Sequence, residues 1–122
     1  MSGKIFLLDT NILVYALKGT EIVKPYFSGP VFISVISEVE LIGVKGLLEK
    51  ELKIREAVVD YCTIIPFTNS IKNKAIQLKQ QNTIKFPDAV IAATAIVEGF
   101  TLVTADKGFK RFKELSLDLI AF

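Results

Sequence analysis

The chain has no histidine, no tryptophan and a single cysteine, Cys62. Each absence removes a class of chemistry. Without histidine there is no Ser-His-Asp or Cys-His nucleophile, no HExxH zinc site and no histidine-based RNA cleavage. One cysteine cannot close a disulfide within the chain or build a thiolate metal site. Within the apolar stretch Cys62-Thr63-Ile64-Ile65 it reads as a small buried residue, and the reducing cytosol is the expected address. No apolar run approaches the ~18–20 residues that a membrane helix needs. The longest, Ala89 to Val97, has Asp88 and Glu98 at its ends. A signal peptide is not expected, because Lys4 is followed by only Ile5 to Leu8 before Asp9 interrupts. The chemistry left is that of carboxylates, amides, hydroxyls and lysines. Such an oxygen-rich donor set suits hard cations such as Mg²⁺ or Mn²⁺.

A length of 122 residues, about half of them apolar, fits one domain, residues 1–122, with a single core. The net charge of +2 carries no argument, but its distribution does. Lys72, Lys74, Lys79 and Lys85 lie in an acid-free stretch between Asn69 and Pro87, and Lys107, Lys110, Arg111 and Lys113 follow Asp106. In isolation such runs are explained by solvated helix faces.

Short apolar runs alternate with helical segments. Strands are expected at Lys4–Leu8, Val31–Ile36, Cys62–Phe67, Thr101–Thr104 and, as a short fifth, Leu117–Ala121. Helices are expected at Thr10–Lys18, from Ser37 to Val44, at Lys50–Tyr61, at Ser70–Gln81 and at Pro87–Glu98. Strands that are apolar throughout belong to a sheet covered on both faces. Alternation with helices then predicts an α/β fold: a three-layer α/β/α sandwich around a mostly parallel sheet of four to five strands. Ligands of such sheets bind beyond the carboxyl ends of the strands. Asp9 and Asp106 fall at two of these ends, Glu40 in the first turn of the helix after the second strand, and Asp88 at the start of the helix before the fourth.

Taken singly, each acid has a structural explanation. Asp9 can cap a helix starting at Thr10-Asn11, and Ser37 with Glu40 spells an S-x-x-E capping box. Asp88 after Pro87 suits a helix start, and Asp106-Lys107-Gly108 a turn. Their surroundings argue for more. Asp9 is flanked by Ile5 to Leu8 and Ile12 to Val14, and Asp88 precedes Ala89-Val90-Ile91-Ala92-Ala93. Acids this close to a core need a donor or a metal. Two carboxylates about 5 Å apart repel by roughly 3 kcal/mol at an effective dielectric of 20, and a cluster relieves this by binding a cation or holding a proton.

Four segments carry a resemblance: Leu7-Leu8-Asp9-Thr10-Asn11-Ile12-Leu13, Ser34-Val35-Ile36-Ser37-Glu38-Val39-Glu40-Leu41, Pro87-Asp88-Ala89-Val90-Ile91-Ala92-Ala93-Thr94-Ala95 and Leu102-Val103-Thr104-Ala105-Asp106. In order and spacing they resemble the PIN-domain ribonucleases, and more narrowly the VapC toxins of toxin–antitoxin pairs, over essentially the whole chain. The resemblance implies that Asp9, Glu40, Asp88 and Asp106 hold Mg²⁺ or Mn²⁺. Asp9 and Asp88 would be direct ligands, Glu40 would orient the attacking water or bind through water, and Asp106 would complete the shell or a second site. Glu40 is preferred over Glu38 because Leu41 follows it and Ser37 stands three before it. Asn11, Ser37 and Thr104 match polar positions that orient the acids. One departure is visible: Gly108 stands before Phe109 where many relatives have a further acid, leaving Asp106 alone in that loop.

The implied activity is metal-dependent endonucleolytic cleavage of RNA, with Lys85, Lys107, Lys110 and Arg111 as contacts for the RNA backbone. The implied partners are the RNA, a cognate antitoxin whose tail lies in a groove, and a second copy in a homodimer. The apolar face of Ser37 to Leu48 could serve either protein partner. Other readings fit less well. A phosphoacceptor receiver domain wants paired acids after the first strand and one after the third, where Pro66-Phe67-Thr68-Asn69 stands. An Asp-based phosphatase wants an acid at Asn11. A PIN-like module that binds RNA or protein without cutting is disfavoured by the complete acid set.

Overall fold

Five short strands, each followed within a few residues by a polar side chain, set the layout. The computed structural model describes residues 3–122. The strands β1 (Phe6–Leu8), β2 (Phe32–Ser34), β3 (Thr63–Ile65), β4 (Thr101–Thr104) and β5 (Ser116–Leu119) form one sheet in the order β3-β2-β1-β4-β5, and every pairing is parallel. Register runs Leu7 opposite Leu102 and Leu8 opposite Val103 on one side of β1, and Leu7 opposite Phe32 on the other.

Because side chains alternate across a strand, Leu7 and Leu102 face one core while Leu8 and Val103 face another. The first core is filled by α4 (Asn69–Gln81), through Ile71, Ala75 and Leu78, and by α5 (Phe86–Glu98), whose Ala89 to Ala95 are all buried. The second is filled by α1 (Thr10–Leu17) through Ile12 and Leu13, by α3 (Glu49–Tyr61) through Val59, and by a 3₁₀ segment, Glu21–Phe27, through Val23. Between them α2 (Val35–Ile42) gives Ile36 to the first core and Leu41 to the second. The result is the expected α/β/α sandwich, with a five-stranded and wholly parallel sheet. Gly99 ends α5 in the left-handed conformation, φ +73°, where an L side chain is strained. Cys62 packs half-buried against the second core, and burial pushes its thiol up to about 11, so it stays protonated at neutral pH. Among the described residues no helix is long and apolar enough to cross a membrane.

The structure corrects the sequence around β2. The strand expected over Val31–Ile36 ends at Ser34, which caps α2 by accepting a hydrogen bond from the Ile36 amide at 3.0 Å. The Ser37–Glu40 capping box therefore does not form. Ser37 lies inside the helix with no exposure, and Glu40 falls in its second turn, not its first. An apolar run cannot by itself distinguish a buried strand from a helix lying across the sheet, and Val35-Ile36 belongs to the helix. That helix stops at Ile42, so no continuous helical face runs from Ser37 to Leu48. At Gly43 a Cβ would come within 2.5 Å of the Val39 carbonyl oxygen. The third strand is also shorter than expected, three residues at the sheet edge.

Candidate active site

A wholly parallel sheet puts all five carboxyl ends on one rim. In the order β3-β2-β1-β4-β5 the chain reverses direction of travel between β1 and β4, and a crevice opens at such a switch point. Asp9 follows β1 and Asp106 follows β4, so both flank it.

Asp9 is only 5% exposed. It caps α1 in extended conformation, and its Oδ1 accepts from the Thr10 amide at 2.8 Å. Its Oδ2 accepts from Thr104 Oγ1 at 2.7 Å and from Asn11 Nδ2 at 3.0 Å. Burial pushes the Asp9 carboxyl up to about 6, against the pull of the Thr104 and Thr10 hydrogen bonds, and the charges of Asp88 and Glu40 push the same way as burial. Asn11 and the fully buried Thr104 lock this corner. Asn11 Nδ2 also donates to Thr104 Oγ1 at 3.3 Å, and Asn11 Oδ1 accepts from the Ala105 amide at 3.3 Å. Thr104 Oγ1 accepts from the Asp106 amide at 3.0 Å. Two polar side chains thus fix the start of α1 against the loop after β4.

Glu40 is exposed and is reached through a residue absent from the sequence-based site. Thr10 Oγ1 lies 2.6 Å from Glu40 Oε1 and 2.8 Å from Ser37 Oγ. A hydroxyl has one proton, and the carboxylate is the stronger acceptor, so Thr10 donates to Glu40 and accepts from Ser37. Ser37 thus acts on the acid through Thr10, one turn before Glu40 on the same helix. The signal for Thr10 was its place between Asp9 and Asn11, where it read only as the first residue of a helix.

Asp88 is the third residue of α5, half-buried, and its carboxylate makes no hydrogen bond or ion pair among the described residues. Burial raises its pKa, the charges of Asp106 and Glu40 raise it further, and Lys85 and Arg111 oppose them. Asp106 is exposed and caps a second 3₁₀ segment, Lys107–Arg111, with Oδ1 accepting from the Gly108 amide at 2.8 Å. A Cβ at Gly108 would stand 3.0 Å from that oxygen, so a side chain in place of glycine crowds the carboxylate.

The four acids feel one another's charge: Asp9 with Asp88 and Glu40, and Asp88 with Glu40 and Asp106. Among the described residues no three Asp or Glu side chains stand close enough together, as oriented, to ligate one ion. Glu40 and Asp106 each spend one carboxylate oxygen on a protein donor, Thr10 Oγ1 and the Gly108 amide. The donor set itself fits a hard cation: all oxygen, one buried carboxyl of raised pKa, and one carboxylate without a protein donor. Of the basic residues, Lys85 and Arg111 act on Asp88, and Arg111 is held by donating to the Thr83 carbonyl at 2.7 Å. Lys107 and Lys110 form no hydrogen bond or ion pair with the acids. A cavity of about 630 Å³ lies elsewhere, between the C-terminal end of α1, the first 3₁₀ segment and α3.

The family model described as the PIN domain matches residues 6–115, a span that contains all four acids. The chain belongs to the PIN-domain family. It is 33% identical to Ribonuclease VapC1 of Rickettsia felis, over 91% of this chain and 92% of that protein. Among solved structures this PIN domain is similar to VapBC2 from Rickettsia felis bound to a promoter DNA fragment, with a TM-score of 0.83, 27% identity, and 95% of this chain and 98% of that one covered. It is also similar to a toxin–antitoxin complex from Klebsiella pneumoniae, with a TM-score of 0.78, 28% identity, and 91% and 95% covered. The VapC-type PIN domain expected from the four motifs is borne out.

Proposed function

We propose that the chain is a Mg²⁺- or Mn²⁺-dependent endoribonuclease and the toxin of a toxin–antitoxin pair. The observation that carries this reading is Asp9: a carboxyl buried at the switch point, raised to about 6, with Asp88 and Glu40 bearing on it. The names of the similar proteins, a ribonuclease and toxin–antitoxin complexes, support it.

A bound divalent cation lowers the pKa of water and stabilises charge on the phosphate. The residues supply the rest. Asp9 and Asp88 hold the cation, the first locked by Thr104 and Asn11 and the second free of protein donors. Glu40, oriented by Thr10, holds or orients the attacking water, and Asp106 completes the shell. Lys85 and Arg111 screen the RNA phosphates beside Asp88, with Lys107 and Lys110 farther along the loop. Purified protein is expected to cut RNA with Mg²⁺ or Mn²⁺ and to stop in EDTA. Cleavage that continues in EDTA would overturn the metal mechanism. RNA binding without cleavage would favour the non-cutting module instead.

Thr10→Val tests the route to Glu40. It removes the donor and strands the buried Ser37 hydroxyl, so kcat should fall about 10–100-fold, as for loss of an outer-shell partner. Thr10→Ser should restore it. Equal rates for all three proteins would remove Thr10 from the site.

For the antitoxin we assign the 630 Å³ groove, lined among others by Leu17, Val23, Phe27, Ile54, Val58 and Tyr61. It is apolar and lies away from the acids, so an amphipathic antitoxin segment can dock there while its tail reaches the rim. Ala57 is exposed in this lining. Ala57→Arg should weaken antitoxin binding about 10-fold or more while RNA cleavage by the free protein is unchanged. Unaltered antitoxin affinity would place the partner on another face. The homodimer belongs to the same reading and is checked by sedimentation.

A further inference from the structure

Phe67 and Phe86 are 44% and 51% exposed, and neither belongs to either core. Their rings meet edge to face at 90°, with centroids 6.3 Å apart. Single exposed apolar residues are ordinary, but this pair is placed by the fold. Phe67 follows the carboxyl end of β3, on the same rim as Asp9 and Asp106. Phe86 is the first residue of α5, two before Asp88. Lys85 directly precedes it, and Arg111 is tethered to the Thr83 carbonyl on the same loop. In an edge-to-face pair one ring keeps both of its faces clear of the other. A free π face on the loop that also carries Lys85 and holds Arg111, two cations that both act on Asp88, matches one nucleotide of a single strand: base on the ring, phosphate on the cations.

We propose that Phe67 and Phe86 form a stacking platform for an unpaired base of the RNA substrate, on the rim of the sheet that carries the acids. The platform rests on the ribonuclease reading and adds to it a base-binding contact outside the acidic cluster. It selects strands whose bases are free to turn outward, and is tolerant of sequence because every base has a π face.

The test uses the full chain and a short single-stranded RNA, with its base-paired duplex as control. Phe67→Leu and Phe86→Leu keep an apolar side chain but remove the π face. Each should weaken single-strand binding about 5–100-fold, raising KM with little change in kcat and leaving the duplex unaffected. Phe86→Tyr should restore binding. Because the chain has no tryptophan, Phe86→Trp adds a single tryptophan at the platform, whose selectively excited emission single-stranded RNA should quench. Leucine variants that bind and cut like the parent would overturn the platform while the ribonuclease reading stands. Quenching without any cleavage by the parent would leave the platform standing and remove the activity. A dimeric parent whose leucine variants sediment as monomers, with single-strand binding per site unchanged, would mean that a second copy of the chain covers the rings. That result overturns the proposal too.

Discussion

The Asp9→Asn protein is expected to lose metal-dependent RNA cleavage by more than about 100-fold, because removal of an outer-shell partner alone costs about 10–100-fold and Asp9 is assigned as a direct ligand. The replacement is nearly isosteric. An amide oxygen can still accept from the Thr10 amide, so the cap of α1 survives. Its other end presents an NH₂ to Asn11 Nδ2 and Thr104 Oγ1, both of which donate to Asp9 in the parent. That mismatch adds about 1–3 kcal/mol of destabilisation. Circular dichroism and a melting curve therefore accompany the assay. A folded variant that keeps more than a tenth of parent activity would remove Asp9 from the metal.

The second large effect is on stability. The folded-state pKa of Asp9 is about 6 against 3.8 for the free side chain. Between these values the folded protein holds the proton more tightly than the unfolded chain. The contribution is thus fully present below 3.8 and is lost as pH rises through about 6. Two units correspond to roughly 3 kcal/mol, and Asp9 is buried enough that solvent screening is a small correction. For a chain of this size that is about 10 °C in Tm. Asp88, also raised, acts in the same direction. In EDTA, Tm should fall between about pH 4.5 and about pH 7.5. Mg²⁺ or Mn²⁺ should recover the loss at the higher pH by binding the folded state alone. Asp88→Asn should raise Tm in EDTA at the higher pH, since it relieves repulsion and removes no hydrogen bond. A fall instead would make Asp88 a structural partner of the α5 N-terminus.

Much of the candidate site was legible because its markers are local. The absence of histidine narrows the chemistry without reference to any fold, and acids set against Ile5–Leu8 and Ala89–Ala93 are conspicuous in one dimension. Asn11 and Thr104 were legible as polar neighbours of the acids, and both meet Asp9. The errors fall where one local pattern admits two structures. Val31–Ile36 is apolar throughout, so the change from strand to helix at Ser34 left no mark, and Ser37 with Glu40 spelled a capping box that the helix start two residues earlier makes impossible. Residues 19–30, given no element from the sequence, contain a 3₁₀ segment with Pro25 inside it, which has no apolar periodicity to betray it.

By itself the sequence determined the oxygen-donor chemistry and the parallel α/β architecture. These follow from composition and from periodicity along the chain. Only the tertiary structure decided that the crevice lies between β1 and β4, that Thr10 is the link to Glu40, and that Phe67 meets Phe86. Each depends on strand order or on contacts between residues far apart in the chain, and such pairings are chosen by the burial of whole faces, not by any local pattern.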